Sequence, residues 1–331
     1  MTEFIALFNT AIVFGTVILF GSIGEILTEK SGNLNLGVPG IMSIGGISGL
    51  MGTFFYENAC TAAGTSPSGF LCLVIAVLCA VAASLIAGLI YSVITITLRA
   101  NQNVTGLTLT IFGGGFANFF GGMLNKIAGG VGQVRVNTTA AVFKADLPWL
   151  SGLGGFGEMF FSYGFMVYLA IIIAVIMSCV LKRTSVGLNI RAVGENPATA
   201  DAAGINVTKY KYLCTCIGAA ISGLGGLFYV MDYTSGTWSS DGGLESLGWL
   251  AVALVIFARW KPNHAIWGAY LFGMLSRMYF YIGGLNRSSQ ELFKMLPYVV
   301  TIIVLVFVSV KKKKENLGPA ALGLSYFRED R

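Results

Sequence analysis

Long apolar stretches, one after another with little polar sequence between them, limit this chain more than anything else in it. They run from Phe4 to Gly24, Leu36 to Tyr56, Phe70 to Leu98, Val104 to Met123, Phe161 to Leu181, Tyr210 to Met231, Leu244 to Ala258, Ala265 to Gly283 and Phe293 to Val310. A helix that crosses lipid needs roughly 20 apolar residues, since each adds about 1.5 Å of rise through a core about 30 Å thick. Only 11% of the 331 residues are charged, whereas a soluble domain carries about 25%. Lipid is the solvent that suits such a surface. The sequence predicts an all-α polytopic membrane protein of about nine transmembrane helices, within a range of about 8 to 10. No positively charged segment precedes the first stretch and no small-residue cleavage site follows it, so it reads as a spanning helix and not as a signal peptide.

The breaks between stretches carry turn residues and charge, as at Thr28 to Asn33, Ser66 to Gly69 and Arg259 to Pro262. Lys and Arg are distributed unevenly across alternate sides. One side holds Lys30, Arg99, Lys182, Arg183, Arg191, Lys209, Lys211, Arg259, Lys261, Lys311 to Lys314, Arg328 and Arg331. The other holds Lys126, Arg135, Lys144, Arg287 and Lys294. Because cytoplasmic loops retain the positive charge, the C-terminus of this multi-pass plasma-membrane protein is expected in the cytoplasm. The net charge of +6 thus orients the chain and anchors it at anionic lipid, and no nucleic acid is implied. The expected organisation is a transmembrane domain over residues 1–310, with an inner loop at 184–207, a long outer loop at 124–160, and a basic tail at 311–331.

Six cysteines lie mostly in or beside apolar stretches, which suits neither a disulfide framework nor a metal site. Glycine is frequent, with 44 residues, and often spaced by four, as in Gly218, Ser222 and Gly226 or Gly45 and Gly49. Such spacing lets helix backbones approach closely in lipid, where no hydrophobic drive joins them. Pro39, between Gly37 and Gly40, predicts that the second helix is kinked or broken near its cytoplasmic end. The Gly-rich segment Asp241 to Gly248 is a possible counterpart entering from the outer side, which would suit an inverted repeat around a pathway.

The inner loop from Thr184 to Asn206 is the most informative soluble segment. Asn196 is a suitable N-cap, Pro197 fits the first helical position, and Gly204 suits the residue after a helix end. A helix of about two turns is therefore expected over Pro197, Ala198, Thr199, Ala200, Asp201 and Ala202. So short a helix is marginal alone, and must pack either on a partner or on its own subunit.

These residues also carry a resemblance. GLNIRAVGENP (Gly187 to Pro197) followed by ADAAGIN (Ala200 to Asn206) is similar to the cytoplasmic loop of ribose- and nucleoside-type ABC importer permeases. LTEKSGNLNLGVPGIM (Leu27 to Met42) resembles that family's motif around the second span. ALVIFARWKP (Ala253 to Pro262), followed by GAYLFG (Gly268 to Gly273), resembles its late-span motif. Pro39 departs from the pattern where many relatives carry an acidic residue. The resemblance implies that residues 196–202 with Gly204 form a coupling helix docking on an ABC ATPase subunit, which binds ATP and Mg. It further implies a second, homologous permease subunit, in a heterodimer on the nucleoside branch, and an extracytoplasmic substrate-binding lipoprotein.

The chain contains no G-x-x-x-x-G-K-[ST] to cradle ATP phosphates, so its energy is expected from elsewhere and no cofactor or catalytic residue from this chain. His264 has no catalytic constellation near it in sequence. The run Gly152, Gly154 and Gly157 lacks the βαβ context of a dinucleotide site, while Trp149, Phe156 and Phe160 suit a membrane interface. Polar groups inside stretches mark the pathway candidates: Asn35, Pro39, Asn118, Glu245 and Arg277. Interhelical bonding is the alternative for Asn118, and pairing with Glu245 or Asp232 is the alternative for Arg277. No acidic residue is expected in mid-span, which argues against ion coupling. Scarce charge points to a small polar solute, with nucleosides and ribose-like sugars both fitting.

Overall fold

In the computed structural model, residues 2–128, 133–145, 159–282, 286–311 and 318–328 are described. The elements run α1 (Thr2–Lys30), α2 (Val38–Ala62), α3 (Gly69–Ser92), α4 (Gln102–Ile127), α5 (Asn137–Lys144) and α6 (Phe165–Arg183). They continue as α7 (Ser185–Glu195), α8 (Pro197–Ala202), α9 (Val207–Phe228), α10 (Gly243–Phe257), α11 (Pro262–Arg277), α12 (Arg287–Lys294) and α13 (Leu296–Lys311). The all-helical architecture follows from the apolar stretches, because a helix satisfies its own backbone groups where water cannot.

Six of these helices are long and apolar enough to cross a membrane: α1, α2, α3, α4, α6 and α9. The pair α12 and α13, bent by 40° at Met295, makes a seventh if taken as one span. The seventh and eighth apolar stretches form shorter helices. α10 has 15 residues and α11 has 16, so each reaches only about 22 to 24 Å at about 1.5 Å per residue. Their ends are set by the Ala258 to Lys261 turn, in which Arg259 and Trp260 adopt φ of +56° and +54°, a region that non-glycine residues seldom occupy.

α2 corrects an expectation. It is a continuous helix from Val38 to Ala62, with Pro39 in its first turn, where a missing N–H removes no intrahelical bond. The interruption precedes the helix. Residues 33–35 are non-helical, with Asn33 and Asn35 buried, and the Asn35 backbone N–H donates to Glu25 Oε1 of α1 at 2.9 Å. Glu25 and Glu29 themselves are buried, at 1% and 4% exposure, within α1. Acidic side chains therefore lie buried in the last turns of a membrane-crossing helix, because α1 stays helical for six residues beyond Gly24.

Two sets of loops gather at opposite ends. At the basic end, Gly323 N–H donates to Gly32 O (3.2 Å) and Ala321 N–H to Gly194 O (3.0 Å), while Arg99 lies over the Phe327 ring. Residues 318–328 thus cross the loops of α1, α3 and α7. At the other end, Tyr163 donates to Asn9 (2.8 Å), Thr139 to Glu57 (2.7 Å), and Lys144 to Ser235 (2.7 Å). The core runs between them along α1, α2 and α9, centred on Phe20, Met42 and Phe228. Small residues set its spacing. A Cβ on Gly45 would come within 2.6 Å of Gly223 Cα, so only glycine admits this approach.

Candidate functional site

At the basic end, the loop after α6 folds into two capped helices. Thr184 Oγ1 accepts from Gly187 N–H at 3.1 Å and starts α7. Asn196 Oδ1 accepts from Thr199 N–H at 3.1 Å, with Pro197 in the first turn of α8. α8 closes with two bonds, Ile205 N–H to Ala200 O at 3.0 Å and Gly204 N–H to Asp201 O at 2.9 Å, while Gly204 takes φ +83°. This double closure requires the left-handed conformation that glycine reaches without strain. The caps stand where the spacing of Asn196, Pro197 and Gly204 places them.

What α8 faces is a separate matter. Ala200 is 3% exposed and packs with Val193 and Val207, fixing the helix to α7 and α9. Asp201 accepts from the Tyr326 hydroxyl at 2.9 Å and pairs with Arg328 Nε at 3.2 Å. Both residues thus turn to their own subunit. Ala198, Thr199 and Ala202 are exposed and Pro197 is half-buried. These form the free ridge, a surface small enough to enter a groove.

Inside the apolar layer the five polar candidates separate. Asn118 of α4 is exposed and accepts from the Trp238 indole N–H at 3.1 Å. One turn away on α4, a Cβ at Gly114 would lie 3.6 Å from Glu245 Oε2 of α10, so Asn118 and Glu245 border one surface. Pro39 backs that surface, buried where Gly248 of α10 approaches it. The two segments singled out in the sequence, around Pro39 and around Gly248, therefore meet.

Asn35 is 1% exposed, and its Oδ1 accepts from Gly37 N–H at 2.9 Å. Its side-chain oxygen is committed to the turn into α2 and its backbone N–H to Glu25. Arg277 sits elsewhere, over the rings of Phe14 (4.0 Å), Tyr233 (5.0 Å) and Phe280 (5.4 Å), and donates to the Tyr233 hydroxyl. Among the described residues it makes no ion pair, so the alternative of pairing with Glu245 or Asp232 gives way to an aromatic cage. Cation–π contact supplies the counter-charge without a second buried ion.

α4 presents the open face of this site. Phe112, Gly115, Phe119 and Gly122 follow at helical spacing and are exposed, and a Cβ at Gly115 or Gly122 would meet nothing within 4 Å. Trp149, Phe156 and the Gly152 to Gly157 run lie outside the described residues.

Sequence reasoning missed Glu25 and Glu29. Glu29 accepts from the Trp260 indole N–H, tying α1 to the α10–α11 turn, and Glu25 Oε2 is buried with no hydrogen-bond partner among the described residues. The available signal was their i, i+4 spacing, which puts both on one helix face.

Residues 7–305 match a family described as branched-chain amino acid transport system / permease component. The chain belongs to that family. This permease is 30% identical to the nucleoside ABC transporter permease of Lactococcus lactis subsp. cremoris over 96% of its own length and 95% of the relative's. It is 30% identical to a putative glucose ABC transporter permease of Haloferax volcanii over 98% of both chains. It is also 30% identical to a guanosine ABC transporter permease of Bacillus subtilis over 89% of both. No solved structure matches it. As an ABC importer permease it is a multi-pass membrane protein and not itself an enzyme.

Proposed function

We propose that this permease carries nucleosides inward, driven by ATP hydrolysis on a separate ABC ATPase subunit that binds ATP and Mg. The open α4 face carries the substrate reading. It combines exposed aromatic rings, Phe112 and Phe119, with an amide and a carboxylate, Asn118 and Glu245. Flat rings stack a nucleobase, and paired polar groups bind a ribose or base edge. Relatives named for nucleoside and guanosine transport support the same class. A sugar permease is the second reading, favoured by the relative named for glucose.

The basic end is cytoplasmic on this reading, and the ridge of Ala198, Thr199 and Ala202 docks in the ATPase. A second, homologous permease subunit closes the α4 face into a pathway, and an extracytoplasmic binding lipoprotein delivers solute at the opposite end. Residues 1–310 make the membrane domain and 311–331 the basic tail. Nine crossings are the count that brings α1 in at one end and the tail out at the other, with α10 and α11 as two short crossings and α12–α13 as the last. The approach of Gly248 of α10 to Pro39 at the start of α2 supports two helices that begin at opposite ends and meet near the pathway, as in an inverted repeat.

The test is uptake of labelled nucleosides and labelled ribose by cells with and without the gene. Nucleoside uptake that falls at least tenfold on deletion, with ribose uptake unchanged, is expected. Equal nucleoside uptake in both strains removes the assignment.

A further inference from the structure

At the basic end, the start of α9, the α3–α4 linker and the folded tail enclose a cavity of about 630 Å³. That is the size of a small-ligand site, roughly 300 to 1,000 Å³. Its wall is unusually charged for a membrane protein. Arg99, Lys209, Lys211 and Arg328 line it, with Asp201 as the acidic residue of the lining. Arg328 and the Tyr326 hydroxyl already engage Asp201, so the other three cations have no carboxylate in the wall to answer them.

Lys211 decides the matter. It is 2% exposed, and its side-chain ammonium makes no hydrogen bond or ion pair among the described residues. A buried ammonium without a counter-ion is costly and is retained where something supplies the missing charge. The α9 N-terminus opens on the same space. Asn206 Oδ1 caps Lys209 N–H at 2.9 Å, and the amides of Val207 and Thr208, which also line the cavity, lack intrahelical acceptors. Such a terminus favours anions. Arg99 is held by the Phe327 ring at 4.6 Å, a contact to its flat face that leaves the in-plane N–H groups to donate.

A second buried group narrows the ligand further. Asn33 is fully buried and lines the cavity. Its Nδ2 donates to Thr215 Oγ1 at 3.2 Å, while its Oδ1 has no partner among the described residues. A bare phosphate dianion offers that carbonyl nothing. A ligand hydroxyl does.

We infer that this cavity, framed by Arg99, Lys209, Lys211, Arg328 and Asn33, binds a phosphate ester that carries a neighbouring hydroxyl. A soluble sugar phosphate and a glycerol-type phospholipid headgroup share this chemistry. Placing the cavity in the cytoplasm rests on the orientation proposed above. On that reading, phosphoryl transfer to an imported sugar or nucleoside is the reaction class that supplies the soluble form. The site then reads the cytoplasmic product beside α8, since Asp201 forms part of both.

The experiment uses the full transporter complex in nanodiscs, reading thermal stability and calorimetric binding, so it stands apart from any uptake result. In zwitterionic phosphatidylcholine discs, ribose 5-phosphate is expected to bind saturably, and ribose is not. Lys211→Met is expected to weaken that binding at least tenfold. If ribose 5-phosphate is silent but phosphatidylglycerol stabilises the wild type and not Lys211→Met, the headgroup is the ligand and the site stands. Should Lys211→Met fail to fold, the double variant Arg99→Gln with Lys209→Ala, at exposed positions, is expected to weaken the same binding at least tenfold. Binding of ribose as tight as that of ribose 5-phosphate would overturn the proposal. So would the lack of any phosphate or phosphatidylglycerol response that depends on these cations.

Discussion

α4 and α9 look alike as sequences and behave differently as structures. Both are long, apolar and glycine-rich, and both cross the membrane layer. In α9, Gly218 lies against the Gly24 carbonyl, Gly223 against Ser84, and Gly226 against the Met42 carbonyl. In α4, Gly113 meets Gly40 in the same way, but Gly115 and Gly122 face open space. Glycine therefore serves two ends here. On α9 it removes bulk so that α1, α2 and α3 can close around the helix. On the outer face of α4 it keeps a surface smooth between exposed rings, the form a pathway or partner interface requires. What separates the two is the neighbour, not the residue.

The sharpest way to break the comparison is to add bulk to both helices. Gly226→Leu should lower stability by about 3 kcal/mol or prevent folding, because overpacking a closed core has no outlet. Gly122→Leu should leave the melting temperature in detergent nearly unchanged while cutting uptake. Equal destabilisation by both would show that α4 is as enclosed as α9. The free and engaged faces of α8 extend the contrast to the basic end. Ala198→Glu with Ala202→Glu should abolish copurification with the ATPase while membrane insertion persists. Ala200→Glu, by contrast, should destabilise the subunit itself by placing a carboxylate among Val193 and Val207.

Smaller effects sharpen the picture. Asn118→Ala and Glu245→Gln on the open wall should each lower nucleoside uptake about tenfold, equivalent to about 1.4 kcal/mol, with normal expression. Trp260→Phe removes the indole N–H that reaches Glu29 and should cost about 2 kcal/mol in thermal unfolding, since it leaves a buried acceptor unmatched. The tail contact is the weakest. Arg328→Ala should change stability by about 0.5 kcal/mol, because its side chain is 76% exposed and solvent screens the pair with Asp201.

Much of this was legible beforehand, for reasons that differ by residue. Asn196, Pro197 and Gly204 announced α8 because capping is local chemistry, decided within four residues of each helix end. The apolar stretches announced their helices because lipid penalises every unpaired backbone group. The acids of α1 escaped notice because a charged pair beside Lys30 looks like the edge of a span, and only the returning segment at Asn33 to Asn35 and the Trp260 indole bury it. Arg277 was given a carboxylate as the alternative to a pathway role because sequence shows opposite charges and conceals rings, and Phe14 lies far from it along the chain. Pro39 was read as a break because a proline's consequence depends on its helical register, which the flanking glycines left open.

By itself, then, the sequence determined that the chain lives in lipid, which end of it gathers positive charge, and where the short helix α8 starts and stops. These depend on composition and on contacts a few residues long. Tertiary structure alone decided which face of α8 is free, which glycines are crowded, and that Arg99, Lys209, Lys211 and the tail surround one cavity. Those outcomes depend on groups brought together from distant parts of the chain, and no local pattern records such a meeting.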